Sequence, residues 1–281
     1  MQYFEERDGK LIFRYNGETV QVEAWGQDSL RVRSRVLGEI SEECSALTEE
    51  VAVHDAVISI QGEDSAEITN GRIKAVLYRQ GWGNALQITF YNEKGEVLLQ
   101  EIPNGGALCL KARYFRSLAG GSFYLKASFQ SNDKEKLYGM GQYQQERMNL
   151  KGCNLELAHR NSQASVPFYV SSLGYGFLWN NPAVGEVHFG TNTTEWEAWS
   201  TDQLDYWITA GERPGDIERN YAEVTGKAPM MPEYGLGFWQ CKLRYYNEQQ
   251  VLDIAGEYKK RNIPVDVIVI DYYHWPRCGD Y

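Results

Sequence analysis

The chain has 281 residues, of which 43% are hydrophobic, and it carries a formal net charge of -10 with a pI of about 5.0. This acidic balance repels phosphate backbones and anionic lipid, which excludes nucleic acids and membrane surfaces as expected partners. The length fits one large β domain followed by a smaller unit.

The amino terminus and the cysteines bear on the compartment. The first ten residues, MQYFEERDGK, lack the apolar region of a signal peptide, and no stretch approaches the roughly 20 apolar residues of a spanning helix. Five cysteines, an odd number spread along the chain, favour reduced thiols over a disulfide framework. We therefore expect a cytoplasmic protein.

Residues 1–228 show one strand pattern after another. KLIFRY, TVQVEAW and SLRVRSRV alternate apolar and polar residues between Gly, Asn and Asp turns, and residues 71–100 predict a hairpin followed by a turn at Asn92–Gly95. We expect a large antiparallel β-sandwich whose sheets have one wet and one dry face. A short helix is predicted from Asp216 to Thr225, capped by Asp216, and Pro229 and Pro232 mark a linker.

Residues 229–281 change to a β-α-β pattern. LGFWQ predicts a strand, Asn247 is the expected N-cap of a helix, and VDVIVID predicts a second strand ending at Asp271. A near-continuous apolar strand is typical of a parallel sheet that is covered on both faces. One β-α-β unit cannot cover both faces, so we expect a larger α/β domain or a second chain to complete it.

Metal and nucleotide motifs are weak in this sequence. His274 with Cys278, and Cys153 with His159, lack the two further ligands that a zinc site needs. GMGQYQ lacks the third glycine of a dinucleotide fingerprint. We expect neither a metal nor a cofactor.

Five segments in order carry a family resemblance. They resemble the amino-terminal part of glycoside hydrolase family 31, which includes α-glucosidases and α-xylosidases, and the QCK and QYQQERMNLKG forms look closer to the α-xylosidase branch. The segments are LYGMGQYQQERMNLKG, VPFYVSSLGYGFLWNN, LDYWITAG, YGLGFWQCKLRYYN and IPVDVIVIDYYHW.

The resemblance implies a galactose-mutarotase-like β-sandwich over residues 1–228, then the first β-α-β of a (β/α)8 TIM barrel over residues 229–281. It implies retaining hydrolysis of terminal α-linked glucose or xylose in oligosaccharides, through two aspartates on later barrel strands. On this interpretation residues 1–281 contain no catalytic residue, and the chain alone is inactive.

The substrate-binding residues follow from the same resemblance. Asp271 matches a family aspartate that binds sugar hydroxyls, with Tyr272 and Trp275 beside it as stacking or core residues. Judged from the residues alone, Asp271 is instead a helix cap or an ion-pair partner of Arg277.

Two further segments depart from the family pattern. The basic residues Lys242 and Arg244 stand where relatives place an aromatic side chain near the sugar. In the family, a sandwich loop brings a polar residue, often aspartate, to the substrate. Here that loop is residues 155–165, LELAHRNSQAS, which offers Arg160 and Asn161 or is an ordinary polar loop.

Two other functions fit the same sequence. The aromatic-rich sandwich fits a carbohydrate-binding module without catalysis. An exposed parallel strand edge also fits a structural domain that forms a homo-oligomer or associates through the unfinished barrel edge.

Overall fold

A computed structural model of the chain describes residues 3–49, 51, 56–80, 85–103, 110–271, 274–277 and 279–280. The chain divides into two compact units, residues 1–227 and residues 228–281. The domain boundary predicted after residue 228 stays a prediction.

Strands dominate the first unit. In chain order its elements are β1 (Phe4–Arg7), β2 (Lys10–Tyr15), β3 (Glu18–Ala24), β4 (Ser29–Val36), β5 (Val57–Gln61), β6 (Ser65–Asn70), β7 (Ile73–Gln80), β8 (Ala85–Asn92), β9 (Val97–Gln100), β10 (Arg113–Ser117), β11 (Phe123–Gln130), β12 (Leu137–Gln142), β13 (Asn154–Leu157), β14 (Ala164–Ser171), β15 (Tyr175–Trp179), β16 (Gly185–Phe189), β17 (Thr193–Thr201), β18 (Leu204–Ala210) and α1 (Pro214–Thr225). The second unit has a 3₁₀ turn (Glu233–Leu236), β19 (Trp239–Lys242), α2 (Glu248–Lys260) and β20 (Val267–Ile270).

The strands of the first unit form three antiparallel sheets. An eight-stranded sheet has the order β1-β2-β3-β4-β18-β15-β14-β12, and two five-stranded sheets have the orders β5-β6-β7-β8-β9 and β10-β11-β17-β16-β13. A bridge between Glu101 and Phe129 joins the two five-stranded sheets. The result is the predicted β-sandwich, with the eight-stranded sheet as one layer and the joined sheets as the other.

The hairpin predicted within residues 71–100 is confirmed. β7 pairs with β8, and β8 pairs with β9. In the turn after β8 the amide of Gly95 donates to the carbonyl of Asn92 at 3.0 Å. Gly95 has a φ of 79°, a left-handed conformation that glycine adopts without strain.

Aromatic rings fill the core between the two layers. Phe177 on β15 packs on Trp196 of β17 with ring centroids 5.2 Å apart, and Trp179 stacks on the same indole at 5.5 Å. Tyr206 on β18 meets Phe129 of β11 at 5.7 Å in an edge-on arrangement. Aromatic pairs favour offset and edge-on geometries, so these contacts help to hold the layers together.

The prediction that each sheet keeps one wet face is wrong at β4. Arg31 and Arg33 alternate with apolar residues, yet both are 0% exposed. Residues 38–49, which we call the strap, provide carbonyl groups for both side chains. Arg31 Nη2 donates to the carbonyl of Glu43 at 2.6 Å, and Arg33 Nη1 donates to that of Ser41 at 2.7 Å.

Each buried guanidinium also has an acidic partner. Arg31 donates to Asp205 from Nε at 3.1 Å and from Nη2 at 2.6 Å, and Arg33 donates to Glu23. Burial raises the pKa of Asp205, although the charge and hydrogen bonds of Arg31 oppose that shift. Buried charges are tolerated in a fold when they are paired and hydrogen-bonded in this way.

Helix α1 begins two residues earlier than predicted. Pro214 is its first residue, a position where the missing amide hydrogen of proline costs nothing. Asp216 is therefore not the N-cap; its carboxylate accepts a hydrogen bond from the Arg213 amide at 3.1 Å. Ile217 and Val224 are buried in a cluster with residues of the eight-stranded sheet, Phe168, Leu178 and Trp207.

The second unit has the predicted β-α-β order with shorter strands. β19 begins at Trp239, after a 3₁₀ turn of residues 233–236, and β20 covers only residues 267–270 of the predicted strand VDVIVID. The two strands are parallel. Asn247 is the predicted N-cap of α2, since its side chain accepts from the Gln250 amide at 3.0 Å.

Apolar side chains of the second unit remain exposed. Trp239 is 49% exposed and Ile270 is 51% exposed, and α2 has no buried residue. Of the helices in the described part of the chain, neither α1 nor α2 is long and apolar enough to cross a membrane.

Candidate functional site

The carboxyl ends of β19 and β20 bring two predicted site residues to one edge. Lys242 is the last residue of β19 and pairs in register with Ile270, the last residue of β20. Asp271 follows Ile270 directly, so Lys242 and Asp271 lie at the same edge of this parallel pair. Both side chains are exposed. In parallel α/β folds this edge is where ligands bind.

The carboxylate of Asp271 lies beside a thiol. The Cys241 thiol donates to Asp271 Oδ2 at 3.8 Å, and the backbone carbonyl of Asp271 lies 2.6 Å from His274 Nδ1. Within the described residues, Asp271 forms no ion pair with Arg277, the partner that the sequence offered as an alternative. Cys241 was not predicted as a site residue, although it directly precedes Lys242 on β19.

Lys242 and Arg244 fold back on neighbouring aromatic rings. The Lys242 ammonium lies 5.9 Å from the ring centre of Tyr245, and the Arg244 guanidinium lies 4.9 Å from that of Tyr246. Contacts of this kind contribute about 0.5–1 kcal/mol at exposed sites. The two cations are therefore held near the strand edge by Tyr245 and Tyr246. These contacts were not predicted from the sequence.

The remaining residues of this segment are only partly described. Trp275 is half-buried, and its ring centre is 4.6 Å from that of His274. Tyr272, predicted to bind substrate, and Cys278, considered as a metal ligand, lie outside the described residues. Within the described ranges, no three His, Cys, Asp or Glu side chains are placed to hold a metal ion.

The sandwich loop that carries Arg160 and Asn161 is shorter than predicted. β13 extends to Leu157 and β14 begins at Ala164, which leaves residues 158–163 between them. Arg160 and Gln163 exchange backbone hydrogen bonds of 3.2 and 3.0 Å. Asn161 therefore lies exposed at the tip of the turn formed by residues 160–163, which we call the Asn161 turn.

Arg160 is held by an acid on the preceding strand. Its Nε donates to Glu156 at 3.0 Å and its Nη2 at 2.5 Å. The hydrogen bonds and charge of Arg160 hold the pKa of the Glu156 carboxyl below its usual range. A two-pronged contact of this type fixes the direction of the guanidinium.

The predicted residues thus form two groups. Lys242 and Asp271 share the edge of β19 and β20 in the second unit, with Arg244 just beyond β19. Arg160 and Asn161 share the Asn161 turn in the first unit. Both groups offer donors and acceptors suited to hydroxyl groups.

Two family models match the chain. Residues 19–187 match the glycosyl hydrolase 31 N-terminal galactose mutarotase-like domain. Residues 228–281 match the TIM-barrel domain of glycosyl hydrolases family 31.

Curated relatives match along nearly the whole chain. An uncharacterised family 31 glucosidase of Pseudescherichia vulneris is 43% identical over 98% of this chain and 54% of its own length. Alpha-xylosidase A of Aspergillus niger is 33% identical over 99% of this chain and 40% of its own length. The chain thus spans about half the length of these relatives.

Solved structures show the same architecture. A family 31 alpha-xylosidase from a soil metagenome, complexed with xylose, has 46% sequence identity and a TM-score of 0.90. The match covers 99% of this chain and 42% of that chain.

Proposed function

Because this chain belongs to glycosyl hydrolase family 31, we propose that it forms the substrate-binding, amino-terminal part of a retaining α-glycosidase. The enzyme removes terminal α-linked xylose or glucose from oligosaccharides. The support is the order of the two matched domains, together with relatives described as α-xylosidases. The α-xylosidases among the relatives support xylose as the sugar, whereas the relative from Pseudescherichia vulneris is described as a glucosidase.

The observation that carries this proposal is the place of Asp271. Its exposed carboxylate follows β20 at the carboxyl edge of a parallel pair, where barrel enzymes bind their substrates. A carboxylate accepts hydrogen bonds from two neighbouring sugar hydroxyls, and charged acceptors make the stronger bonds. Asp271 is therefore assigned to the sugar ring at the barrel mouth.

The neighbouring residues complete the proposed subsite. Lys242 and Arg244 donate to sugar hydroxyls, and their contacts with Tyr245 and Tyr246 hold these donors in position. Trp275 offers a half-buried ring that can pack on a sugar face. We keep Tyr272 in the same role on the family resemblance alone.

On the family resemblance we keep Arg160 and Asn161 as substrate-binding residues of the first unit. Asn161 at the tip of the Asn161 turn offers an amide that both donates and accepts. Arg160, directed by Glu156, supplies further donors.

The hydrolysis itself uses two carboxylates about 5–5.5 Å apart, one as nucleophile and one as acid and base. We assign neither to residues 1–281, so this chain alone does not turn over substrate. Such chemistry requires no cofactor. We place the protein in the cytoplasm, because Cys44, Cys153 and Cys241 are free thiols, as in a reducing compartment.

Calorimetry of the 281-residue chain with xylose and glucose tests the role of Asp271. We expect weak saturable binding that falls roughly 10–100-fold in Asp271→Asn, since a charged hydrogen-bond acceptor contributes about 1.5–3 kcal/mol. Asp253→Asn, an exposed acid on α2, is the matched control and should bind as the unmodified chain does.

Two results would contradict the proposal. Unchanged affinity in Asp271→Asn would remove this residue from the subsite. Release of p-nitrophenol from p-nitrophenyl α-xyloside or α-glucoside by the 281-residue chain would show that the catalytic pair lies within it.

A further inference from the structure

One sheet of the first unit has a charged outer surface. In the five-stranded sheet β10-β11-β17-β16-β13, the inward side chains, among them Leu125, Trp196 and Val187, are buried in the core. The side chains that alternate with them point outward. The described helix of the first unit, α1, packs on β15 and β18 of the other layer. We call the outward side chains of β10, β11, β17 and β16 the sheet face.

A row of side chains in register crosses this sheet and changes from one sign of charge to the other. From β10 to β13 its members are Tyr114, Lys126, Glu197, Glu186 and Glu156. Three carboxylates therefore lie directly opposite one another on neighbouring strands, an arrangement that destabilises a sheet. Arg160 pairs with the outermost of them, Glu156.

The other two acids of the row lack a strong cationic partner. Within the described residues, neither Glu186 nor Glu197 forms an ion pair with a lysine or an arginine. Glu186 Oε2 lies 3.1 Å from Nε2 of His188. Glu197 lies beside the hydroxyl of Tyr124, which is neutral because burial and this carboxylate raise its pKa. Negative charge is therefore left uncompensated on β17 and β16.

The β10 and β11 half of the sheet face has the cations. Arg116 is exposed and makes no ion pair in the part of the chain that the structure describes; its guanidinium lies 4.6 Å from the ring centre of Tyr124. Lys126 contacts Glu195 at 3.2 Å and keeps 32% of its side chain exposed. Tyr114 is 39% exposed. Tyrosine and arginine are enriched at protein interfaces, so this half has the composition of a contact surface.

We propose that the sheet face binds the sheet face of a second copy of this chain and so forms a symmetric dimer. A two-fold axis parallel to the strands, placed between β11 and β17, sets β11 of each copy on β17 of the other and β10 on β16. Lys126 then faces Glu197 of the second copy, and Arg116 reaches its Glu186. The surface lies within the first unit, away from the barrel edge and from Asp271, so the inference goes beyond the proposed function.

The distribution of charge selects a second copy over other protein partners. Both signs are present on opposite halves of one surface, which makes the sheet face self-complementary, as a two-fold interface requires. A uniformly basic or uniformly acidic partner would be repelled by one half. Four strands about 4.8 Å apart make a face roughly 20 Å wide, at the small end for protein interfaces. We therefore expect a reversible dimer that salt weakens.

Sedimentation velocity of the 281-residue chain over a concentration series tests the inference. We expect a monomer–dimer equilibrium whose dissociation constant rises roughly tenfold or more in Arg116→Glu and in Glu186→Arg, because each reversal opposes like charges at both symmetric contacts. Arg7→Glu and Glu218→Arg are the matched controls, since they reverse exposed charges on β1 and α1. Both should dimerise as the unmodified chain does.

An equimolar mixture of Arg116→Glu and Glu186→Arg separates the interface from any effect on folding. In the mixed pair the two reversed charges meet each other and the two native charges meet each other, so the dimer should form again. Raising the salt from about 0.05 M to about 1 M should dissociate it. A chain that is monomeric at every concentration, association that both reversals and salt leave unchanged, or a mixture that stays monomeric would overturn the inference. Unchanged association is the result expected if the apolar side chains of the second unit join the copies instead.

Discussion

The guanidinium of Arg31 is surrounded by protein, with Asp205 on one side and the strap on the other. Alternation along SLRVRSRV predicts a solvent-exposed position, because period two places this residue on the polar face of β4. The sequence does not reveal that Arg31 is buried, since its ion-pair partner, Asp205, lies 174 residues further along the chain. Patterns within one strand carry no information about such distant pairing.

Removing Arg31 should strongly destabilise the first unit. Arg31→Met leaves the Asp205 carboxylate buried without its cation, which costs about 3–5 kcal/mol. Urea unfolding followed by tryptophan fluorescence measures the free energy of unfolding. Arg14→Met is the matched control, because Arg14 forms an exposed ion pair with Glu5 and should lose at most about 1 kcal/mol.

The double variant Arg31→Met, Asp205→Leu separates charge from packing. Replacing both members of a buried ion pair by apolar residues is often neutral, so the double variant should recover most of the lost stability. Equal losses in Arg31→Met and Arg14→Met would show that the pair is of little importance.

The sequence pattern around Asp271 was more informative than the alternation around Arg31. An apolar run ending in a carboxylate predicted a strand-end acid, and the structure has β20 end directly before Asp271. The thiol of Cys241 and the rings of Tyr245 and Tyr246 were not predicted, because their contacts depend on the register of β19 and on the turn after it. The binding role of Asp271 stays a prediction.

Among the elements, local signals located the hairpin of β7 and β8 and the cap of α2. Both depend on residues close in sequence, such as Asn247 and Gln250. Such local signals could not predict the strand order of the eight-stranded sheet. β18 pairs with β4 across the chain, with Leu204 opposite Ser34, and no turn connects the two strands.

The strap should loosen in acid. Lys10 and Arg33 contact the Glu42 carboxylate at 3.0 and 2.9 Å. Burial opposes ionisation of Glu42, but the hydrogen bond from Lys10 and the charge of Arg33 outweigh it, and its pKa is lowered. A carboxyl whose pKa is lowered by folding stabilises the fold above its unfolded pKa and loses that contribution as pH falls through its folded pKa.

The expected result is a pH-dependent difference between variants. At pH 7, the free energy of unfolding of Glu42→Gln should be roughly 0.5–1 kcal/mol lower than that of the unmodified chain. The loss is small because Glu42 is largely exposed. The difference should shrink as the pH falls below the ordinary glutamate value of 4.5. Urea unfolding at pH 7 and at about pH 3 measures it. Glu39→Gln, an exposed strap residue, is the control, and a difference constant with pH would contradict the prediction.

For the whole molecule, the two units differ in how completely they bury apolar side chains. Among the described residues, both buried hydrophobic clusters consist of residues of the first unit. The second unit instead exposes Phe238, Trp239, Leu243 and Ile270. The sequence indicated this difference, since a single β-α-β unit cannot cover both faces of its own sheet.

Deleting residues 228–281 should leave the first unit folded. Thermal unfolding followed by near-ultraviolet circular dichroism should show an unchanged midpoint, because the core residues are retained. Binding of an apolar fluorescent dye should fall, because exposed side chains such as Trp239 are removed. Deleting only residues 274–281 is the control and should keep dye binding. A chain of residues 1–227 without a cooperative transition would contradict the independence of the first unit.

The stacked indoles of Trp179 and Trp196 have an optical consequence. They belong to opposite layers, lie 5.5 Å apart and are inclined by only 21°. Chromophores this close share their electronic excitation, and the coupling weakens steeply with separation. The optical coupling between the two indoles therefore reports the distance between the layers. It detects a change in that distance without an attached label.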